Sequence, residues 1–358
     1  MSAAILQQVL LVLVSSSLLV LVLQRARAGG LDFGLTLAWS GVAAIGFLTA
    51  ISIPYLEELG RLLRVVPAAL FAGTIAIILS TVALSLSGIV SRQRQSIQTL
   101  TETLGLRGIS PPLQPAQDDA AVLAIVPALN EEGTIAACVE GLLALGLPVL
   151  VVDDGSTDAT GAKARAAGAS VLRLEMNQGV GGALRAAFRA ARAHGYRAVV
   201  QSDADGQHPS SSVSLLLAVD RDDPVDLLIG SRFVASDGRG GASIPRRAAM
   251  TVLARLATRA GDARLTDTTS GLRVIREPLL GALADWIPPH YLGDTYEVVL
   301  GTARGGYTIR EVGVTVRERQ VGRSTASTFT ALRLTLRCLL ITLLPTQPRL
   351  ITRDPDPR

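Results

Sequence analysis

The sequence predicts an α/β fold, with a mostly parallel sheet covered by helices on both faces, preceded by an all-α transmembrane domain. Three observations lead there. From about residue 120 onward, short apolar runs alternate with helical patterns, as in a parallel sheet buried on both sides. Carboxylate-bearing clusters directly follow several of those runs, and such sheets bind ligands beyond the carboxyl ends of their strands. The N-terminal part is different. Met1–Gln24, Phe33–Leu56 and Val65–Ser91 contain no charged side chain, and each window is long enough for a membrane crossing, which takes about 20 apolar residues.

These windows define an expected three-helix transmembrane domain, residues 1–92. A cleaved signal peptide is the competing reading of the first window, but that window lacks a basic start and two similar windows follow. Buried helices of a soluble fold compete for all three, although these normally show a polar face. Arg25 and Arg27 follow the first window, and Arg92 and Arg94 follow the third. The positive-inside rule then predicts a multi-pass protein of the cell membrane, with the N-terminus outside and the remainder cytoplasmic. Cys138 and Cys338 are far apart in the 358-residue chain and match no metal-binding spacing, so they read as free thiols. The net charge of +4 is modest. No interleaving of aromatic and basic residues points to nucleic acid.

Residues 93–117 read as a linker, a polar helix over Gln93–Leu106 followed by Pro111, Pro112 and Pro115. The α/β domain is expected over 118–325. Its strands are predicted at Ala120–Val126, Val149–Val152, Ser170–Leu174 and Tyr196–Gln201, and its helices at Glu131–Leu145, Asp158–Ala167 and Gly182–His194. Residues 326–346 are apolar but carry Arg333 and Arg337. They suit an amphipathic interfacial helix whose arginines reach the headgroups. Residues 347–358 complete the chain as a disordered tail.

Three polar clusters fall at one edge of the expected sheet: VPALNEE (Val126–Glu132), DDGSTD (Asp153–Asp158) and DADGQHP (Asp203–Pro209). Each alone could be a turn or a helix cap; together they describe one crevice. Asp203 and Asp205 flank one residue, so on extended chain their side chains point the same way. Two such carboxylates repel unless a cation lies between them. A hard divalent cation, held by one or two carboxylates and substrate phosphates, supplies that charge. Gly179, Gly181 and Gly182 lack the spacing of a dinucleotide fingerprint. Glycines there instead allow close approach of a ligand to the backbone.

The sequence resembles the family-2 glycosyltransferases, and within them the polyprenyl-phosphate sugar transferases similar to dolichol-phosphate mannose synthase. VPALNEE, VVDDGSTD, NQGVGGALRAAF, DADGQHP, GSRF, DTTSGLRV and GDTYEVVLGTARGGY occur in the family's order. The resemblance implies a GT-A fold and a metal-dependent inverting enzyme using Mg2+ or Mn2+. It implies transfer from a nucleotide-diphosphate sugar, UDP or GDP, to a polyprenyl phosphate at the cytoplasmic face of the bilayer. It also implies site residues. Pro127, Leu129, Glu131, Asp153, Asp154, Asn177, Gly179, Ala204 and Arg232 join Asp203 and Asp205 in binding the nucleotide sugar. Gln207 joins the same two aspartates at the metal. Arg273, Arg319 and Arg323 contact the acceptor, and Asp294 is a candidate catalytic group beside Asp203 and Asp205.

Other readings stay open at this point. A hydroxyl acceptor on a lipid-linked or envelope glycan would need a base such as Asp294 or Glu297. A non-catalytic scaffold partnering a flippase, or a homo-oligomer, is also compatible with the sequence. A processive polysaccharide synthase is disfavoured, because neither Trp39 nor Trp286 lies in a Gln-x-x-Arg-Trp motif.

Overall fold

Helices open the chain, and the computed structural model describes residues 3–27, 39–52, 96–234, 253–259, 265–287 and 295–317, plus scattered positions between 55 and 93. The chain divides into two compact units, Met1–Arg94 and Gln95–Arg358.

In the first unit, α1 (Ala3–Arg27) packs with α2 (39–52). Ser15, Val22, Ala43 and Ala50 are buried, and Gln8 Nε2 donates to Ala50 O at 3.1 Å. The expected transmembrane topology is overturned here. Among the described residues, no helix is long and apolar enough to cross a membrane. The uncharged windows are not uniformly apolar: Gln8 and Ser15–Ser17 fall within α1. The expected multi-pass localisation, and the outside N-terminus derived from it, therefore fail. The third window lies almost entirely outside the described residues.

The second unit begins with α3 (96–107), inside the segment expected to be a linker. That segment packs with the sheet unit. Ser110 pairs with Val171, Tyr196 Oη donates to Gln114 O at 2.9 Å, and Leu113 is buried in the core. The elements then follow as β1 (Val122–Ala128), α4 (Ile135–Leu143), β2 (Val149–Asp153), α5 (Thr160–Ala166), β3 (Ser170–Arg173), α6 (Gly179–Ala193) and β4 (Ala198–Gln201). After these come α7 (Ser210–Asp222), β5 (Leu227–Ser231), α8 (253–259), β6 (Arg273–Arg276), α9 (Leu279–Trp286), α10 (Thr295–Arg304) and β7 (Ile309–Gly313).

The strands form one seven-stranded sheet in the order β3-β2-β1-β4-β6-β5-β7. Every neighbouring pair is parallel except β4–β6 and β5–β6, so β6 alone runs against the rest. The apolar runs are continuous because both sheet faces are covered. Leu123, Ile125, Leu150 and Val152 point into a core with α6 and α9. Ala124, Val126, Val149 and Val151 point into the opposite core with α4 and α7.

Two predicted helices are shifted by their own loops. The first starts at Ile135 rather than near Glu131, because Asn130 takes a left-handed φ of 55° and the chain turns before entering the helix. The third starts at Gly179 rather than Gly182, where Asn177 Oδ1 accepts the Gly179 N–H at 2.9 Å. β1 and β2 are aligned so that Ala128 faces Asp153, while Ile125 faces Gln201 of β4. The chain leaves β1 for β2 on one side and later adds β4 on the other. That reversal opens a crevice at the carboxyl ends of β1, β2 and β4.

Candidate active site

The first wall of the crevice is laced together from the ends of β1 and β2. Asn130 N–H donates to Ser156 Oγ (3.0 Å), and Asn130 Oδ1 accepts from Thr157 N–H (2.9 Å). Glu131 N–H donates to Thr160 Oγ1 at 2.8 Å, and its carboxylate accepts from Thr134 Oγ1 at 3.2 Å. Pro127 closes β1 half-buried, and Leu129 leaves an apolar side chain exposed at the rim.

Asp153 is fully buried at the end of β2. Its Oδ1 accepts the Ser156 N–H at 2.9 Å, and its Oδ2 lies 3.4 Å from Arg173 Nη1. Asp154 is also buried, and its Oδ1 accepts the Gln178 N–H at 2.7 Å. Burial pushes the Asp154 carboxyl up to about 7, against the Gln178 and Gly179 N–H groups, which favour its charged form. Asp154 thus ties the β2 turn to the Asn177–Gly179 turn that starts α6.

The second wall is the turn after β4. The two aspartates lie in this turn and not on extended strand, because β4 ends at Gln201. Gly206 takes a φ of 74° and Asp205 Oδ1 accepts the Gln207 N–H at 3.0 Å, which folds the chain back. The Asp203 side chain stays 39% exposed, whereas Asp205 and Ala204 are buried. Gly271 lies so close to Asp203 that an added Cβ would fall within 2.4 Å of three of its carboxyl atoms.

His208, inside the quoted motif but given no role from sequence, lies here. Its nearly buried ring places Nε2 3.5 Å from Asp203 Oδ2, and its buried Nδ1 has no hydrogen-bond partner among the described residues. Cys138 backs the turn, its Sγ donating to Asp203 O at 3.6 Å. Burial, reinforced by Asp203 and Asp205, pushes its thiol up to about 12. That holds Cys138 as the neutral thiol, the less nucleophilic form. No sequence signal separated it from Cys338, which lies outside the described residues.

Arg232 follows β5 and is clamped by buried Asp267, with Nε–Oδ2 and Nη2–Oδ1 both 2.8 Å, and by Thr269 Oγ1 at 2.7 Å. Burial alone would raise the Asp267 carboxyl, but the Arg232 guanidinium holds it below the usual carboxylate range. Arg232 is held above its ordinary value by the Asp267 hydrogen bond, and the Asp203 charge adds to this. Glu311 of β7, also unremarked in the sequence, fixes this loop by accepting the N–H groups of Thr266 (2.9 Å) and Asp267 (2.8 Å). Arg273 is almost fully buried, donating to Ser270 O (2.8 Å) and Thr268 O (3.1 Å).

A cavity of about 200 Å³ adjoins Asp203. Val180, Leu184 and Phe188 of α6 form its apolar side, and Thr269, Gly271 and Arg273 border it opposite. Glu297 is buried in α10. Asp294, Arg319 and Arg323 lie outside the described residues, as does the expected 326–346 helix. Among the described residues, no group of three or more His, Cys, Asp or Glu side chains could by itself hold a metal ion.

Comparison with known proteins agrees with this arrangement. Residues 123–282 match the family model for glycosyl transferase family 2. The undecaprenyl-phosphate mannosyltransferase of Micrococcus luteus is 36% identical over 218 residues, 58% of this chain and 87% of that protein. The polyprenol monophosphomannose synthase of Mycolicibacterium smegmatis is 32% identical over 219 residues, 57% of this chain and 80% of that protein. A crystal structure of a mycobacterial protein has the same fold, with a TM-score of 0.50 at 24% identity over 68% of this chain and 77% of that chain. With a GT-A-like sheet, a site at its switch point and more than a third of aligned residues shared with a relative matched over most of its length, the chain belongs to glycosyl transferase family 2.

Proposed function

We propose that this glycosyltransferase moves a sugar from a nucleoside-diphosphate sugar to a polyprenyl phosphate, with inversion at the anomeric carbon. The likeness to the two relatives named for mannosyl transfer to polyprenyl phosphates carries this reading. The geometry supports it. The nucleoside lies over the ends of β1 and β2, its base against the exposed Leu129 side chain beside Pro127 and Glu131, and its ribose toward Asp153. The diphosphate then runs between the Asn177–Gly179 turn and the Asp203–Asp205 turn.

The donor set at that second turn suits Mg2+ or Mn2+. It offers carboxylate oxygen from Asp203 and Asp205, with Gln207 adjacent and the His208 ring beside Asp203, and phosphate oxygens of the donor would complete it. When bound, such an ion offsets the charge that grows on the leaving diphosphate. Arg232, fixed in place by Asp267, adds positive charge on the same side. The sugar occupies the cavity beside Asp203, whose α6 wall is apolar.

An acceptor phosphate oxygen attacks the anomeric carbon as the bond to the diphosphate breaks. A phosphate monoester is already anionic at neutral pH, so its attack needs no general base. It needs cationic positioning, the role given to Arg319 and Arg323. Arg273 acts one step back, holding the Thr268–Ser270 loop that borders the cavity.

The test is to incubate the purified full chain with labelled UDP- and GDP-sugars and polyprenyl phosphate, then look for label in the lipid phase. The expected product is a lipid-linked monosaccharide. Label found only on hydroxyl acceptors, or no transfer from any donor, would overturn the reading.

A further inference from the structure

We propose that α3, which precedes the catalytic sheet, positions the donor half of the site through Glu102 and Gln178. The proposal rests on the sugar-transfer reading above. Gln98, Glu102 and Gly105 follow the i, i+4, i+7 spacing of one helix face. Each meets a different part of the donor-binding wall.

Glu102 is only 1% exposed, although it sits on a helix that reads as polar and solvated. Its carboxylate lies between two guanidiniums of α6, with Arg185 Nη2 at 2.5 Å and Arg189 Nη1 at 3.0 Å. Those arginines also donate to Ile287 O (3.3 Å) and Ala284 O (3.1 Å) at the end of α9. A buried ion cluster is a poor source of net stability, since well-packed apolar residues often do as well. What it supplies is register, because α6 can slide along α3 only by breaking both charged contacts.

The second contact is nearer the chemistry. Gln178 Nε2 donates to Gln98 O at 3.3 Å, while the Gln178 N–H donates to Asp154 Oδ1 at 2.7 Å. Gln178 is buried between Asn177 and Gly179, so α3 holds the middle residue of the expected diphosphate turn. At the third contact, a Cβ on Gly105 would lie 2.9 Å from Arg173 O. α3 thus rests on the end of β3, from which Arg173 reaches Asp153. The contacts make α3 part of the donor-binding apparatus.

The decisive measurement is binding of UDP and GDP to the full chain by calorimetry, alongside donor and acceptor KM values. Glu102→Gln and Gln178→Ala should each weaken nucleotide binding at least fivefold and raise donor KM similarly, with the KM for polyprenyl phosphate unchanged. Glu102→Asp should recover part of the loss. If Glu102→Gln does not fold, Gln178→Ala, which leaves the ion cluster intact, decides the matter. Wild-type nucleotide affinity in a folded Gln178→Ala variant overturns the positioning role while leaving the transfer reading intact. A wild-type chain that binds neither nucleotide removes both.

Discussion

Asp205 and Asp154 illustrate how neighbouring carboxylates in one crevice take different tasks. In the proposed reaction Asp205 belongs to the turn that faces the diphosphate, so its charge should matter there. Asp205→Asn keeps the acceptor oxygen that receives the Gln207 N–H but removes that charge. Transfer should fall by at least about 100-fold, equivalent to a few kcal/mol of transition-state stabilisation, while the melting temperature stays near wild type. EDTA should do the same reversibly, and full activity in EDTA would sink the metal assignment. Asp154 faces inward. Unfolded, an aspartate titrates near 3.9, whereas folded Asp154 titrates at about 7. Between these values the folded state holds a proton that the unfolded chain has released. Stability therefore falls as pH climbs through this window and levels off above it. Asp154→Asn can still accept the Gln178 N–H and carries no charge to bury. Its melting temperature should vary less than wild type between pH 5 and 8, and should exceed wild type at pH 8. Identical slopes in the two proteins would show that Asp154 is not the group responsible.

At the scale of elements, the site depends on loops held by remote partners. The Asp203 turn packs against Gly271, two residues ahead of the antiparallel strand β6. No side chain larger than hydrogen fits there without displacing the Asp203 carboxylate. Gly271→Ala should therefore cut kcat/KM at least about tenfold through a shift of Asp203, a loss of roughly 1.4 kcal/mol or more, with little change in the far-ultraviolet circular dichroism. Retained activity would show that Asp203 has room to move without consequence. The Arg232–Asp267 clamp works similarly. Arg232 follows β5 whereas Asp267 lies just ahead of β6, and Glu311 on β7 holds the Thr266–Asp267 backbone. The edge strand β7 thus shapes a site to which it contributes no expected ligand-binding residue.

For the molecule as a whole, stability of the sheet unit comes from two apolar layers, one on each face. Leu150 is fully buried on β2 in the α6-side layer. Leu150→Ala should cost about 2–5 kcal/mol through lost burial and the cavity left behind. Denaturant unfolding monitored at constant m-value would measure it, and a loss below 1 kcal/mol would mean that the layer collapses around the gap. The site stands at the carboxyl ends of strands anchored by this core, so its geometry is inherited from the sheet register.

By itself the sequence determined the first four strands, the helices between them and the edge at which the polar clusters gather. Alternating apolar runs located β1 to β4, and the clusters after β1, β2 and β4 converge as their positions implied. Those signals are local, since strand burial and turn chemistry are written within a few residues. Tertiary structure decided what depends on distant partners. It set the Asp203–Asp205 pair in a turn and sealed Arg232 against Asp267, 35 residues away. It also buried Glu102 against Arg185 and Arg189, 83 and 87 residues further on, making part of the sheet unit from a helix that resembled a solvated linker. Uncharged windows of sufficient length proposed membrane spans at the N-terminus, but among the described residues no helix is long and apolar enough to cross a membrane. Charge and periodicity show where a chain must bury apolar surface; only packing shows which groups receive it and which buried charges find their partners.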